Sequence, residues 1–409
     1  MSLIKLLVIF SGLIFLLRRN WLLGHCLLLA SFTLGLLQGL SPIQIFLIFL
    51  GAIKNSQNLL LSCIILSILI FAHSLSKTDQ LEKIIQACQG VFPWPRLNLM
   101  MLPALIGLLP MPGGAVFSAP FVEGLGKKYG ISHIRQAIVN YWFRHVWEYT
   151  WPLYPGLILA SYLGKVEIYR LISIQFPLTI MAFLLGYLFY LPRPLNMHLS
   201  EAKGSFSLFL KEMAPILIVV ILAISLETKI HFLPRELAIA VAVWIGILWV
   251  WLKQRISISQ LKAIFKDSTL IKVVYAVLSI FCFKEVINES NIVLELSHLL
   301  TKYHIPLFLV ASTIPFLIGL IIGLTFAFVG TTFPLIIALI QAIHAPTLPY
   351  IFLAFGCGVV GVLLSPMHLC FVLSLEYFHV PFDKTYHKLY LPCIIMVVFI
   401  GIWFLYLIL

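Results

Sequence analysis

Charged residues are scarce in this sequence: Asp, Glu, Lys and Arg make up only 10% of its 409 residues, while 61% are hydrophobic. Soluble globular domains are about 25% charged and about 45–50% apolar, so a soluble chain of this composition could not cover its surface with polar groups. A soluble enzyme, a disordered chain, a collagen-like fibre and a secreted disulfide scaffold are therefore excluded. The composition predicts a polytopic membrane protein.

Three further absences narrow the function. The seven cysteines include no Cys-x-x-Cys pair and lie mostly in apolar runs, so neither a disulfide framework nor a metal site is expected. No Walker-type phosphate loop is present, which disfavours an ATP-driven pump. No long basic tract accompanies the net charge of +12, so we assign that charge to loops at an anionic membrane surface and expect no nucleic-acid partner.

The fold class predicted is an all-α membrane protein with about ten transmembrane helices and two re-entrant hairpins. Two stretches, 97–123 and 305–342, are interrupted by Pro and Gly, which break helices unless nearby groups satisfy the freed backbone. We interpret these stretches as hairpins that enter and leave on one side. The ten spans are expected near residues 3–17, 21–39, 56–75, 137–163, 168–191, 207–227, 235–252, 269–287, 350–378 and 388–408.

Loop charge sets the expected orientation and exposes a repeat. With both hairpins re-entrant, most of the 27 Lys and Arg residues fall on one side, which the positive-inside rule makes cytoplasmic, with both termini outside. Residues 1–191 then form three spans, a hairpin and two spans, and residues 207–409 repeat this series with opposite polarity after a linker at 192–206. Inverted repeats with broken helices are typical of secondary transporters.

The first hairpin predicts a binding tip at Pro112, Gly113 and Gly114. Arms of about 12 residues span roughly 18 Å, which reaches about halfway across the hydrocarbon core. Glycine allows the backbone to approach a ligand closely, and the helix that starts at Ala115 would point free N–H groups at an anion. A Pro/Gly kink that serves packing alone is the alternative interpretation.

The following span carries a polar face. Asn140, Arg144 and Glu148 recur at intervals of four residues, and His145 lies beside them. We expect Asn140 and Arg144 to bind an anionic solute, and Glu148 or His145 to bind a coupling cation. The alternative is a structural ion pair between Arg144 and Glu148. The segment 152–156, with two prolines and a glycine, is expected to break this helix just beyond the charges.

The second half offers counterparts. The tip of its hairpin could lie at Gly323–Thr325 or at Gly330–Thr332, and we name Gly330, Thr331 and Thr332 as candidate binding residues. In the next span Ser365-Pro366 interrupts an apolar helix, and His368 follows within one turn. Ser365 is a candidate for solute binding and His368 for proton transfer, although a buried histidine bonded to a carbonyl is nearly as good an interpretation.

Long motifs resemble a known family. The segments LLPMPGGAVFSAP, NYWFRHVWEYTWPLYPG and LLSPMHLCFVLSLEYF resemble the uncharacterised prokaryotic membrane family called domain of unknown function 401, which is grouped with the ion transporter superfamily. The resemblance implies ten helices plus two hairpins, a transport domain that moves against a scaffold, and location in a prokaryotic plasma membrane. The resemblance supplies no substrate, because the family has none assigned. The Ser-Asn-Thr signatures of dicarboxylate carriers are absent, so dicarboxylate specificity is not carried over.

We therefore expect an ion-coupled secondary transporter of a small anionic solute that works by alternating access. No cofactor is expected beyond Na⁺ or H⁺ as the coupling ion, and the expected partners are the solute and membrane lipid, with a homodimer left open. Two alternatives remain, an intramembrane enzyme that uses His145, Glu148 and His368, and a channel-like protein. Half of a metal site is present in His145-x-x-Glu148, but Arg144 alongside would repel a divalent cation, and no second His/Glu motif completes the site.

Overall fold

The computed structural model describes residues 2–19, 21–88, 91, 94–111, 113–191, 205–229 and 235–409, and every regular element in these ranges is helical. The predicted linker at 192–206 lies outside them except for residues 205 and 206. The first half of the chain forms α1 (Ser2–Arg18), α2 (Leu23–Leu37), α3 (Pro42–Lys54), α4 (Ser56–Lys77), α5 (Gln80–Cys88), α6 (Pro95–Gly107), α7 (Ala115–Lys128), α8 (His133–His145), a 3-10 helix (Val146–Tyr149), α9 (Pro155–Gly164) and α10 (Ile168–Phe189).

The second half begins after the linker. It forms α11 (Phe206–Lys229), α12 (Arg235–Gln254), α13 (Ile258–Phe265), α14 (Ser268–Glu289), α15 (Ile292–Lys302), α16 (Leu307–Ile322), α17 (Thr325–Ala342), α18 (Thr347–Leu363), α19 (Leu369–Phe378) and α20 (Phe382–Ile408).

Six of the described helices are long and apolar enough to cross a membrane, which makes the chain a multi-pass membrane protein. Except in Thr325–Ala342, these helices carry exposed large apolar side chains, such as Leu252 at 78% and Ile402 at 61% exposure, as expected of surfaces that meet lipid. The segments that meet this length and composition are Ser56–Lys77, Ile168–Phe189, Phe206–Leu226, Leu237–Gln254, Thr325–Ala342 and Phe382–Ile408.

Two predicted spans are interrupted in the structure. The span near 137–163 consists of α8 and α9, separated by the 3-10 helix and a turn, and α9 begins at Pro155. The span near 350–378 consists of α18 and α19, separated at residues 364–368. A proline stands at each interruption, Pro155 at the start of α9 and Pro366 between α18 and α19, and each lacks an N–H donor and clashes with the preceding turn. Proline alone does not fix a break, because Pro177 and Pro392 lie inside continuous helices. The structure thus confirms that these helices are broken.

The stretches predicted as hairpins are helix pairs. In the first, α6 and α7 pack against each other, and each is about 20 Å long. In the second, α16 ends at Ile322 and Gly323 caps it with a φ of 71°, a backbone conformation that glycine adopts without steric cost. Because α17 starts at Thr325, this turn decides between the two tips that the sequence left open.

Four short helices lie where the spacing of apolar runs predicts loops. Two of them begin with capping boxes: Ser41 caps α3 and Ser257 caps α13, and each serine pairs with a glutamine three residues later. These local signals are readable in the sequence. α5 and α15 complete the set, and each lies between a long helix and a hairpin.

Candidate functional site

At the break after α8, the side chains of Arg144, His145 and Glu148 line one cavity. Every residue from Gln136 to His145 is buried, and the helix ends at His145. The 3-10 helix then carries Glu148, which is 6% exposed, close to Arg144, which is 3% exposed. Among the described residues no carboxylate lies within 4.0 Å of the Arg144 guanidinium, so the predicted alternative of an Arg144–Glu148 ion pair is not formed. The tighter 3-10 turn changes the side-chain spacing on which that pair depends.

Arg144 is held by the tip of the first hairpin. Its Nη2 donates a hydrogen bond of 2.6 Å to the carbonyl oxygen of Met111, while its Nε is buried and has no hydrogen-bond partner among the described residues. Gly114 lies so close to the guanidinium that a Cβ there would collide with it. Gly113 has a φ of 73°, a backbone conformation that favours glycine. The backbone of this tip therefore requires glycine at both positions. Pro112 lies outside the described residues.

The tip of the second hairpin contacts Glu148. The hydroxyl of Thr325, the first residue of α17, donates a hydrogen bond of 2.6 Å to Glu148 Oε2. The close approach of α9 depends on Gly156, because a Cβ there would lie 2.8 Å from Thr325 Cγ2. The second hairpin is therefore tied to the break in the first half of the chain.

His145 and His368 form a buried pair. Their Nε2 atoms are 2.9 Å apart, and their rings meet edge to face with centroids separated by 4.6 Å. Nδ1 of His145 lies 2.6 Å from the carbonyl oxygen of Tyr141. Because a carbonyl only accepts, Nδ1 of His145 carries a proton and its Nε2 presents a lone pair to His368. His145 Nε2 also lies 3.9 Å from Glu148 Oε1.

These groups line a cavity of about 210 Å³ between the two hairpin tips and the two broken helices. The first hairpin contributes Leu109, Pro110 and Met111, and the second contributes residues 323–326. The broken helices contribute Arg144, His145, Glu148, Tyr154, Pro155, Gly156, His368 and Cys370. Leu69 of α4 and Thr269 and Val273 of α14 close the remaining side.

Several candidate residues lie beside the cavity rather than on it. Asn140 donates to the Ala115 carbonyl and to Ser374, both at 3.0 Å, and so joins α8 to α7 and α19. Ser365 is fully buried, and its hydroxyl accepts from the Met367 amide at 3.2 Å. Both positions are explained by packing and hydrogen bonding around the breaks.

The structure does not bring the Gly-Thr-Thr segment to the cavity. Gly330 packs against Ile280, while Thr331 and Thr332 are fully buried and donate to carbonyls of their own helix. Hydroxyls that are satisfied in this way need no external ligand.

Sequence reasoning missed several cavity residues. Cys370 was interpreted as a small hydrophobe, and nothing in its spacing indicates its neighbours. Tyr154, whose hydroxyl donates to the Gly107 carbonyl at 2.5 Å, joins α9 to the end of α6. Tyr154 lies between two prolines in an aromatic segment, which weakly indicates a position at a helix break. Nothing in the sequence around Thr269 or Val273 indicates that they line a cavity.

Comparison with known proteins gives a family and a fold. A sequence profile of the family described as "Protein of unknown function (DUF401)" matches residues 2–409. No curated protein matches the sequence. Among solved structures, the chain is similar to the YdaH transporter of Alcanivorax borkumensis, whose crystal structure is described as having an unusual topology, with a TM-score of 0.63, 13% identity and 88% coverage of each chain. At this identity the likeness shows the fold alone.

Proposed function

Because the chain belongs to the DUF401 family, whose description gives no activity, we propose from its own geometry that it is a secondary transporter. It carries a small anionic solute by alternating access, driven by a coupled cation. The solute occupies the cavity between the hairpin tips and the broken helices, and leaves it chemically unchanged. The fold shared with a protein named as a transporter is consistent with this proposal.

The buried guanidinium of Arg144 is the observation that carries the proposal. A charged group inside a membrane protein is costly, and it is retained where it pairs with another group or lines a solute pathway. Here the guanidinium borders the cavity, has an unsatisfied Nε and has no carboxylate within 4.0 Å among the described residues. A carboxylate or similar anion in the cavity would supply the missing acceptor and the opposite charge.

Helix ends add to this positive potential. α17 begins at Thr325, which lines the cavity, and α7 begins at Ala115, four residues after Met111, which lines it from the first hairpin. The N-terminus of a helix carries partial positive charge and unpaired N–H groups, which favour anions. The two tips therefore support the same sign of solute as Arg144.

The order and pairing of helices support the topology that this mechanism needs. α6 packs on α8 and α7 on α19, while α16 packs on α18 and α17 on α9. Each hairpin thus contacts both broken helices. Its first helix packs on the broken helix of its own half, and its second helix packs on the broken helix of the other half. We propose that residues 1–191 and 207–409 are inverted repeats, with ten spans, two re-entrant hairpins and both termini outside a prokaryotic plasma membrane.

Coupling is assigned to His145, Glu148 and His368. Two of these groups are imidazoles, whose lone pairs bind protons, while sodium prefers a cage of oxygen ligands. We therefore expect a proton gradient, rather than a sodium gradient, to drive uptake. Because Thr325 donates a hydrogen bond to Glu148, protonation of Glu148 would alter this bond and so affect the position of the second hairpin.

Uptake into proteoliposomes tests the proposal. A panel of small carboxylates and other anions is offered with proton and sodium gradients imposed separately, and the solute inside is recovered and identified. Arg144→Gln should lower transport efficiency by at least about 30-fold, since loss of one partner of a buried charge pair costs roughly 2–5 kcal/mol. The matched control is Arg170→Gln, because Arg170 is exposed and pairs with Glu167 at the surface.

Two results would contradict the proposal. Normal uptake by a monodisperse Arg144→Gln protein would make Arg144 a structural residue. Recovery of a chemically altered solute without accumulation would favour the intramembrane enzyme.

A further inference from the structure

Three metal-ligating side chains meet in the cavity from distant parts of the chain. His145 comes from the end of α8, His368 precedes α19, and Cys370 lies in its first turn. Each offers a ligand atom, and these atoms all lie within 4.8 Å of one another. All three residues are at most 5% exposed. The sequence showed only the half-motif His145-x-x-Glu148, and the fold adds the two other ligands.

The spacing of these atoms suits a tetrahedral ion. Bonds of about 2.0–2.3 Å from zinc to nitrogen and sulfur place neighbouring ligand atoms roughly 3.3–3.8 Å apart. The His145 and His368 Nε2 atoms are 2.9 Å apart and would separate slightly around an ion. Glu148 Oε1 lies 3.9 Å from His145 Nε2 but does not belong to the group of mutually close ligand atoms, so the fourth position is left to water.

The surroundings of His145 are those of a metal ligand. Metal-binding imidazoles almost always donate their second ring N–H to a carbonyl or carboxylate, which fixes the tautomer and turns the other lone pair to the metal. His145 donates through Nδ1 to the Tyr141 carbonyl at 2.6 Å. The hydroxyl of Tyr141 is itself fixed, because it donates to the Leu363 carbonyl at 2.9 Å. The Nε2 lone pair of His145 is thus oriented into the cluster.

Donor type and charge select the class of ion. Two imidazole nitrogens and a thiolate suit borderline transition metals, while Na⁺, Mg²⁺ and Ca²⁺ prefer oxygen ligands. The Cys370 thiolate and the nearby Glu148 carboxylate offset the charge of a divalent ion, which lowers its repulsion from Arg144. We propose that His145, His368 and Cys370 bind a divalent transition-metal cation of the zinc class.

Binding replaces protons with metal bonds. The Cys370 thiol loses its proton to solvent as the sulfur–metal bond forms, and the proton on His368 Nε2 moves to Nδ1 as Nε2 takes up the metal. No electron transfer is involved. The ion would join the two broken helices at their interruptions, and this site goes beyond the proposed function because it needs no transported solute. Since the metal takes the imidazole lone pairs that the coupling proton would use, the metal-bound protein is a state in which proton coupling is blocked.

Cobalt(II) is the probe for this site. The full-length protein in detergent is titrated with Co²⁺, and absorption is recorded in the near-ultraviolet and visible ranges. We expect one equivalent per chain, a thiolate-to-cobalt charge-transfer band and intense visible bands typical of tetrahedral coordination. Zn²⁺ added afterwards should displace cobalt and abolish both signals, since zinc binds such sites more tightly.

Variants separate this site from other sources of binding. Cys370→Ser should abolish the charge-transfer band, and His368→Gln should weaken binding by more than the roughly 100-fold that loss of a supporting group can cost. The matched controls are Cys393→Ala, a buried cysteine away from the cavity, and His379→Gln, an exposed histidine. Both controls should bind like the unmodified protein, and size-exclusion profiles check that all variants fold.

Absence of the charge-transfer band, or its survival in folded Cys370→Ser, would overturn the proposed site. Binding that persists in all variants would mean adventitious metal only. Arg144→Gln should keep the band even though it loses uptake, so a failure of the transport proposal and a failure of the metal site give different results.

Discussion

The hydrogen bond between Thr325 and Glu148 should hold the second hairpin against the break after α8. Thr325→Val removes the hydroxyl with little change of shape and leaves Glu148 without its donor. The bond is 2.6 Å long, buried and made to a carboxyl group. Hydrogen bonds to charged groups contribute about 1.5–3 kcal/mol, so the free energy of unfolding should fall by that amount, or roughly 10- to 150-fold in the folding equilibrium.

Thr332→Val is the matched control for this substitution. Thr332 lies in the same helix and is fully buried, but its hydroxyl donates only to the Phe328 carbonyl of its own helix at 2.8 Å. Its loss should cost less than about 1 kcal/mol. Unfolding by increasing SDS in mixed micelles measures both variants, and a double-mutant cycle with Glu148→Ala isolates the pair. Equal losses in the two valine variants, or no coupling in the cycle, would refute the reasoning.

Two further predictions concern the first hairpin and the entry to α14. Gly114→Ala, at the N-cap of α7, should raise the KM for uptake, because its Cβ displaces the Arg144 guanidinium. Gly124→Ala, within α7, meets nothing within 4 Å and should leave KM unchanged; equal KM values would refute the contact. The Thr269 N–H, which donates to Asp267 at 2.8 Å, holds the pKa of that carboxyl below its ordinary value. Asp267→Ala should therefore cost about 0.5–2 kcal/mol of stability at neutral pH, and this difference should shrink as the pH falls below about 3.9, because protonation then removes the stabilisation from the unsubstituted protein. A difference that stays constant in acid would contradict this assignment.

The family, the helical class and the broken helices were all predictable from the sequence. The family match and the interruptions at Pro155 and near Ser365 confirm the corresponding predictions. These features were accessible because proline acts locally: it removes a donor wherever it stands in a helix. The short helices were missed because apolar run length alone was considered, although the capping boxes at Ser41 and Ser257 are local signals too.

The candidate site was predictable only in part. Arg144, His145, Glu148 and His368 were named because charge and imidazole are rare in apolar segments, and all four line the cavity. The Gly-Thr-Thr segment is not among the residues that line the cavity, and threonine hydroxyls that bond to carbonyls of their own helix need not mark a binding site. Cys370 gave no signal, because a cysteine in an apolar run is ordinarily a small hydrophobe.

The sequence by itself determined that this protein is built for a membrane and that two of its spans are interrupted, because composition and the Pro-containing segments act along the chain. Only the tertiary structure decided that Arg144 borders a cavity without a carboxylate beside it, that Thr325 reaches Glu148, and that Cys370 joins two histidines. These pairs are separated by up to 225 positions, a distance over which the residue pattern carries no information about contact. Packing between the two halves of the chain sets those distances.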